Sequence, residues 1–535
     1  MIQARFEHVD QECLFMGLVA PSGHRLLVPR EVINEHMYIC GQTGSGKTSL
    51  GFVPLLMQLG QPWLKAKRDD DGHFVNTADG RQIFVKQKVP PILIIDLKGD
   101  PALFNSARAI AAENGYAFKH FSIEPGRPGY IFDVFQNFAG ASPLYLAEVV
   151  LLALGLMHGE GYGKSHYSRA HRARLSETFK KMGGRPILSW EQLFMAVQAT
   201  QLPSAQDSDE LLNAIHGMQF HEGLSADGRS PDNVGVIHMP TVLEQRQMLY
   251  FWLPAGIAPM SVREIGKLAL YAFHDAAKKR ADEGRKVQSY VFIDEFHMLA
   301  GRNMEQLLTQ GRSAGMAMVL ANQYSGRLTE EELDLRRMVY ECTRLKQYFT
   351  LTDPKDIDEL TRASGETVRW LSSASSSSSE SYNFLTGTTV GQSQQQGSHQ
   401  VMCPRFDVDL PRQVTNDPLG SIVWIQRGSG YSQFGGVPQW VQSLWPISNG
   451  EYKARNGFDK YPWPKPQDNP PTAAAKTAAK DTPRAKLTAA KIQTKSDIME
   501  QLAEQQEKKS GAGRKPTNQG KKKTLPEPPG DDLLP

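Results

Sequence analysis

Short, uninterrupted apolar runs closed by polar residues recur along this chain. Met37-Tyr38-Ile39-Cys40, Pro91-Ile92-Leu93-Ile94-Ile95, Met248 to Leu253, Tyr290-Val291-Phe292-Ile293, Gly315 to Ala321 and Leu345 to Leu351 each read as a buried strand. Helical periodicity marks Ala147 to Leu156, His166 to Lys181 and Trp190 to Ala199, then Arg302 to Arg312 and Pro354 to Ala363. Ser261 to Glu283 reads as a long helix, with Ser261 as its cap and Glu264 three residues on. Buried strands alternating with helical stretches predict an α/β fold.

The flanks follow other patterns. Residues 1–30 alternate apolar and polar positions around the turn Pro21-Ser22-Gly23 and predict a small β lead-in. A polar insert carries a hairpin signal, His73 to Asn76 and Gln82 to Val85 about Asp79-Gly80. Ser372 to His399, rich in Ser, Gln and Gly, predicts a mobile loop. Ser421 to Gln426 and Gln439 to Leu444 predict a closing hairpin, and from about Asn449 Pro, Ala, Lys and Gln take over. The expected plan is a lead-in (1–30), an α/β domain in two parts (31–137 and 231–446, with the mobile loop 372–399), an all-α insertion (138–230) and a disordered basic tail (447–535). Within that tail, Thr488 to Lys508 reads as a helix formed alone or with a partner, and the acidic-apolar tip Pro528 to Pro535 as a docking peptide or a solubilising end.

Composition narrows the setting. With 535 residues, 40% apolar and 22% charged, the chain has the make-up of a globular protein of two or three domains. The net charge of +3 confines any nucleic-acid surface to local patches. Cys13, Cys40, Cys342 and Cys403 show no metal or disulfide spacing, which points to a reducing cytoplasm. Met1 to Glu7 lacks the apolar core of a signal peptide. The most apolar stretch, Leu144 to Met157, contains Glu148 and falls short of the ~20 residues a span needs.

The chemistry is concentrated at strand ends. Gly41-Gln42-Thr43-Gly44-Ser45-Gly46-Lys47-Thr48 fits the phosphate-loop pattern G-x-x-x-x-G-K-[ST] between an apolar strand and the helical start Ser49-Leu50-Gly51. Its glycines let backbone N–H groups face a nucleoside triphosphate, Lys47 reaches the β- and γ-phosphates, and the Thr48 hydroxyl suits Mg²⁺. Asp294-Glu295 ends a buried strand with two acids, Asp294 suited to the metal and Glu295 to polarising water. Asp96 and Lys98 are expected to line the site from an adjacent strand. The strand ending at Gln323 offers an amide. Gly159 to Ser165 echoes a second phosphate loop, but His158 stands where the first glycine belongs.

Taken in order, these segments resemble the FtsK/HerA group of ring ATPases, and most closely the type IV coupling proteins of conjugation, the TraD/TraG type. The resemblance runs from about residue 30 to 445 and rests on five features: the 41–48 loop, Ile94 to Asp100, the helical insertion, Phe292 to His297, and Gln310 to Gly315 leading to Asn322-Gln323. It implies a RecA-like P-loop core with a mostly parallel central sheet, an inserted all-α domain and ATP with Mg²⁺ as cofactors. It also implies a hexameric ring with DNA as cargo and relaxase, relaxosome or secretion-channel partners. Arg312 would be a finger reaching the neighbouring subunit's nucleotide, and Gln323 a γ-phosphate sensor. Coupling proteins usually begin with two membrane-spanning helices. Here about thirty residues precede the nucleotide strand, which suggests a cytoplasmic protein, peripheral at the inner membrane through a separate anchor protein. A protein-secretion ATPase, a nucleotide-switched adaptor and a HerA-like DNA-processing translocase are rival readings.

Overall fold

The apolar runs become neighbours in one sheet. A computed structural model describes residues 12–466 apart from 21, 72, 78, 80–82, 158–163, 183–188, 201–208, 227–228, 231–232, 302–303, 331–332, 384–386, 408 and 427–435. The second phosphate-loop echo, the tip of the 73–85 hairpin and the chain from 467 onward, including the helix and docking tip expected there, lie outside or partly outside the described residues.

In chain order the strands begin with β1 (Cys13–Val19), β2 (His24–Pro29), β3 (Met37–Cys40), β4 (Trp63–Ala66), β5 (Phe84–Gln87) and β6 (Ile92–Asp96). Next come β7 (Phe118–Ser122), β8 (Met248–Trp252), β9 (Ser289–Asp294), β10 (Met316–Asn322), β11 (Thr329–Glu330) and β12 (Leu333–Asp334). The last are β13 (Leu345–Tyr348), β14 (Glu366–Asn383), β15 (Gly387–Pro404), β16 (Gly420–Ile425) and β17 (Gln439–Gln442). Among the described residues, eleven of them form one sheet in the order β2-β1-β17-β16-β13-β3-β10-β9-β6-β8-β7. Every pair from β13 to β7 is parallel. The strands β16, β17, β1 and β2 extend the β13 edge in antiparallel fashion.

Parallel strands need crossovers that cover both faces, so their residues are apolar on both sides. Every residue of β3, β6, β8, β9, β10 and β13 is buried. Side chains alternate between faces along a strand. Tyr38, Leu93, Ile95, Val291 and Ile293 therefore enter one core, and Met37, Ile39, Ile92, Ile94 and Phe292 the other.

Between β7 and β8 the insertion contains the helices Val134–Asn137, Pro143–Ala153, Lys164–Lys181, Trp190–Ala199 and Asp209–Met218. The apolar stretch from Leu144 packs within it, with Ala147, Val149, Val150 and Leu151 buried and Glu148 paired to Arg172 at 3.1 Å. No helix among the described residues is long and apolar enough to cross a membrane.

Four local expectations are corrected. The long helix spans Pro259–Asp282 and starts after Ala258, not at a Ser261 cap, because Pro259 supplies a preset first-turn φ. The insert hairpin is wider than expected: Ile83 N–H donates to Val75 O at 3.0 Å across the expected pair, and β4 pairs with β5 beside it, Trp63 opposite Gln87. The segment expected as a mobile loop at 372–399 falls in an antiparallel ribbon of β14 and β15, in one-to-one register from Glu366↔Pro404 to Asn383↔Gly387. Its backbone groups satisfy one another, so the ladder forms without an apolar pattern.

The fourth correction concerns the tail. Residues 449–466, expected to open the disordered segment, fold onto the nucleotide core. The helix Asn449–Arg455 is capped by Ser448, whose side chain accepts from the Glu451 N–H. Asn105 Nδ2, in the helix Pro101–Glu113, donates to the carbonyls of Arg455 and Gly457, each at 2.9 Å. Trp463 stacks on Phe104 with ring centroids 4.6 Å apart and planes 4° apart.

Candidate nucleotide site

The 41–48 loop leaves the C-terminal end of β3, the central strand of the eleven, and opens at the carboxyl ends of the parallel strands, where open α/β sheets form ligand crevices. Neighbouring strands hold it on both sides: Gly41 N–H donates to Asn322 O at 3.1 Å, and Gln42 N–H to Thr350 O at 3.2 Å. Gly41 must be glycine because a Cβ there would lie 2.7 Å from Phe349 Cβ and 2.8 Å from Ser45 Oγ. Gly46, at φ 96°, takes a left-handed turn into the following helix. That helix opens in wide π-type turns over Lys47–Phe52 before continuing as α-helix over Val53–Leu59. Such turns frequently mark functional sites. The Lys47 ammonium lies back across its own loop, donating to Gly41 O at 2.5 Å and Gln42 O at 3.1 Å.

Opposite this loop stand the tandem acids. In-register pairing of β6 and β9 puts Asp96 beside Asp294. Burial pushes the Asp294 carboxyl up to about 7; repulsion from Asp96 and Glu295 adds to this, while Lys47 and Lys98 oppose it. Burial lowers the Lys47 pKa, with Asp294 and Glu295 pulling the other way. Glu295 sits at φ 54° and ψ 48°, a left-handed turn that bends the chain sharply at the strand end. Its Oε1 accepts from Gln323 Nε2 at 2.8 Å. Its buried Oε2 makes no hydrogen bond; His297 Nδ1 lies 3.4 Å away and an Arg327 guanidinium nitrogen 3.8 Å.

Loop and acids share a cavity of about 470 Å³ lined by residues 42–50 together with Lys98, Asp100, Asp294, Glu295, Thr350, Asn416, Asp417, Pro418, Trp445 and Tyr452. The structure thus brings Gln42, Thr43, Gly44, Ser45, Gly46, Lys47, Thr48, Ser49, Asp294 and Glu295 to one place, with Gly41 beneath the loop and Gln323 behind Glu295.

Two sequence-derived residues stand apart. Asp96 does not line the cavity: its carboxylate accepts from the N–H groups of Lys98, Gly99 and Asp100 at 3.0, 2.8 and 2.7 Å, and from Tyr250 Oη at 2.6 Å. It shapes the turn after β6, and only Lys98 reaches the site. Arg312 lies near the start of β10, at the opposite end of the sheet from its own loop, where it pairs with Glu35 at 2.8 Å. Sequence reasoning missed His297, Arg327, Asn416, Trp445 and Tyr452. His297 falls two residues after the acids, within reach of a local reading, whereas the others come from remote segments with no spacing to connect them.

Comparison with known proteins places this arrangement. A family model described as the TraM recognition site of TraD and TraG matches residues 288–405. No curated protein matches the chain in sequence. Among solved structures, unbound bacterial conjugative coupling protein TrwBdeltaN70 is 16% identical over 81% of this chain and 89% of its own, with a TM-score of 0.50. Plasmid coupling protein TrwB in complex with ADP and Mg²⁺ is 16% identical over 81% of this chain and 91% of its own, at 0.46. VirB4 of Thermoanaerobacter pseudethanolicus is 13% identical over 66% of this chain and 88% of its own, at 0.42. This chain has the RecA-like P-loop fold of a type IV coupling protein.

Proposed function

We propose that the chain is an ATP-driven motor that moves DNA through a ring of identical subunits, as the coupling ATPase of conjugative or type IV transfer. One observation carries the reading. Glu295 shares a cavity with the phosphate loop, one carboxylate oxygen held by Gln323 and the other free of hydrogen bonds. A carboxylate fixed by Gln323, whose second oxygen is hydrogen-bonded to nothing and only ion-paired with His297 and Arg327, suits a base that takes a proton from attacking water.

The residues present fit ATP and Mg²⁺. Thr48 and Asp294 offer only oxygen donors, which suit a hard cation. No cluster of three or more His, Cys, Asp or Glu that could hold a metal occurs among the described residues. Mg²⁺ needs no such cage, since it keeps waters and binds one or two carboxylates plus substrate phosphates. The raised Asp294 pKa marks a buried carboxylate crowded by like charge, a place where a bound cation relieves repulsion. When bound, the metal neutralises charge on the transferred phosphoryl group.

Lys47 is held by two loop carbonyls and would leave them to reach the phosphates. Gln323 orients Glu295, and on the same reading its amide senses the γ-phosphate. Arg312 lies at the far end of the sheet from its own loop, and the resemblance to ring ATPases assigns it to the loop of the next subunit in a hexamer. DNA is gripped at its phosphates, which makes binding fall steeply with salt. The match of residues 288–405 to the TraM recognition site of TraD and TraG favours a relaxosome component as partner, at the cytoplasmic face of the membrane.

The test compares ATP turnover of the wild type and Glu295→Gln, with and without DNA. The expected result is DNA-stimulated turnover in the wild type, and intact ATP binding without turnover in the variant. Stimulation by a protein substrate but not by DNA would replace the DNA motor with a protein-secretion ATPase.

A further inference from the structure

We propose that the segment following β17 builds the nucleobase end of the nucleotide cavity, with Trp445 and Tyr452 as its ring platform and Asn416 on the base edge. This rests on the nucleotide reading and adds how the base is held, which the phosphate loop and acids leave open.

The cavity wall carries two kinds of chemistry. The loop, Lys98 and the acids suit phosphate and metal. The indole of Trp445 and the phenol of Tyr452 line the same cavity, with ring centroids 6.1 Å apart and planes inclined at 56°, and the Tyr452 phenol lies within electrostatic reach of Asp100 and Lys98. Trp445 lines the cavity and is 44% exposed despite its size, so a large aromatic surface is open to solvent. Tyr452 lines the cavity together with the loop residues, and the Ser49 hydroxyl acts on its phenol. Asn416, at the end of the helix Asp409–Asn416, lines the same cavity, and its amide offers a donor and an acceptor together. A purine presents two π-faces and a mixed donor and acceptor edge, which rings and an amide match.

The helix bearing Tyr452 is held firmly. Asn105 ties the end of the helix bearing Tyr452 to the nucleotide core through the Arg455 and Gly457 carbonyls. Arg108 donates to Pro462 O at 2.8 Å and Trp463 Nε1 to Pro128 O at 2.9 Å. A platform anchored in this way lowers the ordering cost of binding.

The test measures affinity of the full chain for ATP and for inorganic tripolyphosphate, which shares the phosphates and lacks the base. Trp445→Ala and Tyr452→Ala should each weaken ATP binding by about tenfold, the range of base stacking on an aromatic ring. Tripolyphosphate binding should change less than about twofold by the same reasoning, because no ring contact is lost. Trp445→Phe and Tyr452→Phe should keep most of the ATP affinity, which separates ring loss from misfolding. ATP affinity unchanged in both alanine variants would overturn the platform while leaving the phosphate site standing, as would an equal loss for ATP and tripolyphosphate. A wild type that binds neither ligand would overturn both the platform and the nucleotide reading.

Discussion

Gln323 Nε2 donates to Glu295 Oε1 across 2.8 Å, tying the residue after β10 to the residue after β9. The two strands are parallel neighbours, so their C-terminal ends emerge side by side. The left-handed turn at Glu295 places its carboxylate within reach of that amide. Gln323 is therefore a positioning residue for the candidate base. Gln323→Ala should lower kcat about 10- to 100-fold with little change in KM, since a misplaced catalytic group costs rate rather than ground-state binding. Steady-state ATPase kinetics check this; an effect confined to KM would assign Gln323 to nucleotide binding alone.

The phosphate loop tolerates no side chain at its first glycine. Gly41→Ala would drive a Cβ to 2.7 Å from Phe349 Cβ, and β13 cannot yield without disturbing its pairing with β3. We expect a loss of about 1–3 kcal/mol in urea unfolding and of ATP binding, as for other overpacked sites. Gly44→Ala, with nothing within 4 Å of the added atom, should meet only the backbone strain of φ 82°. Equal stability for the Gly41 variant and the wild type would contradict the packing described.

His36 makes stability pH-dependent. Its Nε2 meets Leu308 O at 2.6 Å and its Nδ1 accepts from Met318 N–H at 2.9 Å, which fixes a neutral ring with the proton on Nε2. Burial lowers its pKa from 6.5 to about 4, against the pull of the Leu308 carbonyl. The unfolded chain binds a proton in that window and the folded chain does not. The stabilisation is therefore complete above 6.5 and is lost as pH falls toward 4, by up to about 3 kcal/mol. The stability gap between wild type and His36→Gln should narrow by that order between pH 8 and 4.5. A gap independent of pH would mean the ring is protonated as readily folded as unfolded.

Trp463 anchors the segment that carries Tyr452. Its stack on Phe104 and its indole bond to Pro128 O should make Trp463→Ala cost roughly 2 kcal/mol in urea unfolding. Trp463→Phe should recover most of it. A melt unchanged in the alanine variant would mean this segment adds nothing to the fold.

The parallel core was legible because strands buried on both faces spell continuous apolar runs, as in Ile92 to Ile95 and Tyr290 to Ile293. The 41–48 loop was legible because its glycine spacing encodes one backbone shape. β7 escaped notice because Lys119 and His120 interrupt its apolar pattern, although both are buried, with Lys119 Nζ donating to Val236 O at 2.6 Å. The strap after β17 was hidden by a composition that turns polar, yet Tyr452, Phe458 and Trp463 were the signal that it packs. Asp96 and Asp294 end similar apolar runs, and only the structure shows that the first is consumed by backbone N–H groups. Asn416 and Trp445 join the site by tertiary folding, which no local spacing announces.

On the proposed function, ATP is split between two copies of the chain, one giving the loop with Lys47 and its neighbour giving Arg312. Arg312 is exposed and pairs with Glu35, which Arg344 also holds at 2.8 Å. Losing such a surface pair costs under about 1 kcal/mol, so Arg312→Ala should fold normally. Its turnover should fall by about 10³-fold or more, as when a finger is removed from other NTPases. The direct measurement mixes Lys47→Ala subunits with Arg312→Ala subunits, each inactive alone. Turnover that returns on mixing, from seams pairing an intact loop with an intact arginine, is the predicted result. No recovery on mixing, or full turnover by Arg312→Ala alone, would contradict a site shared between subunits.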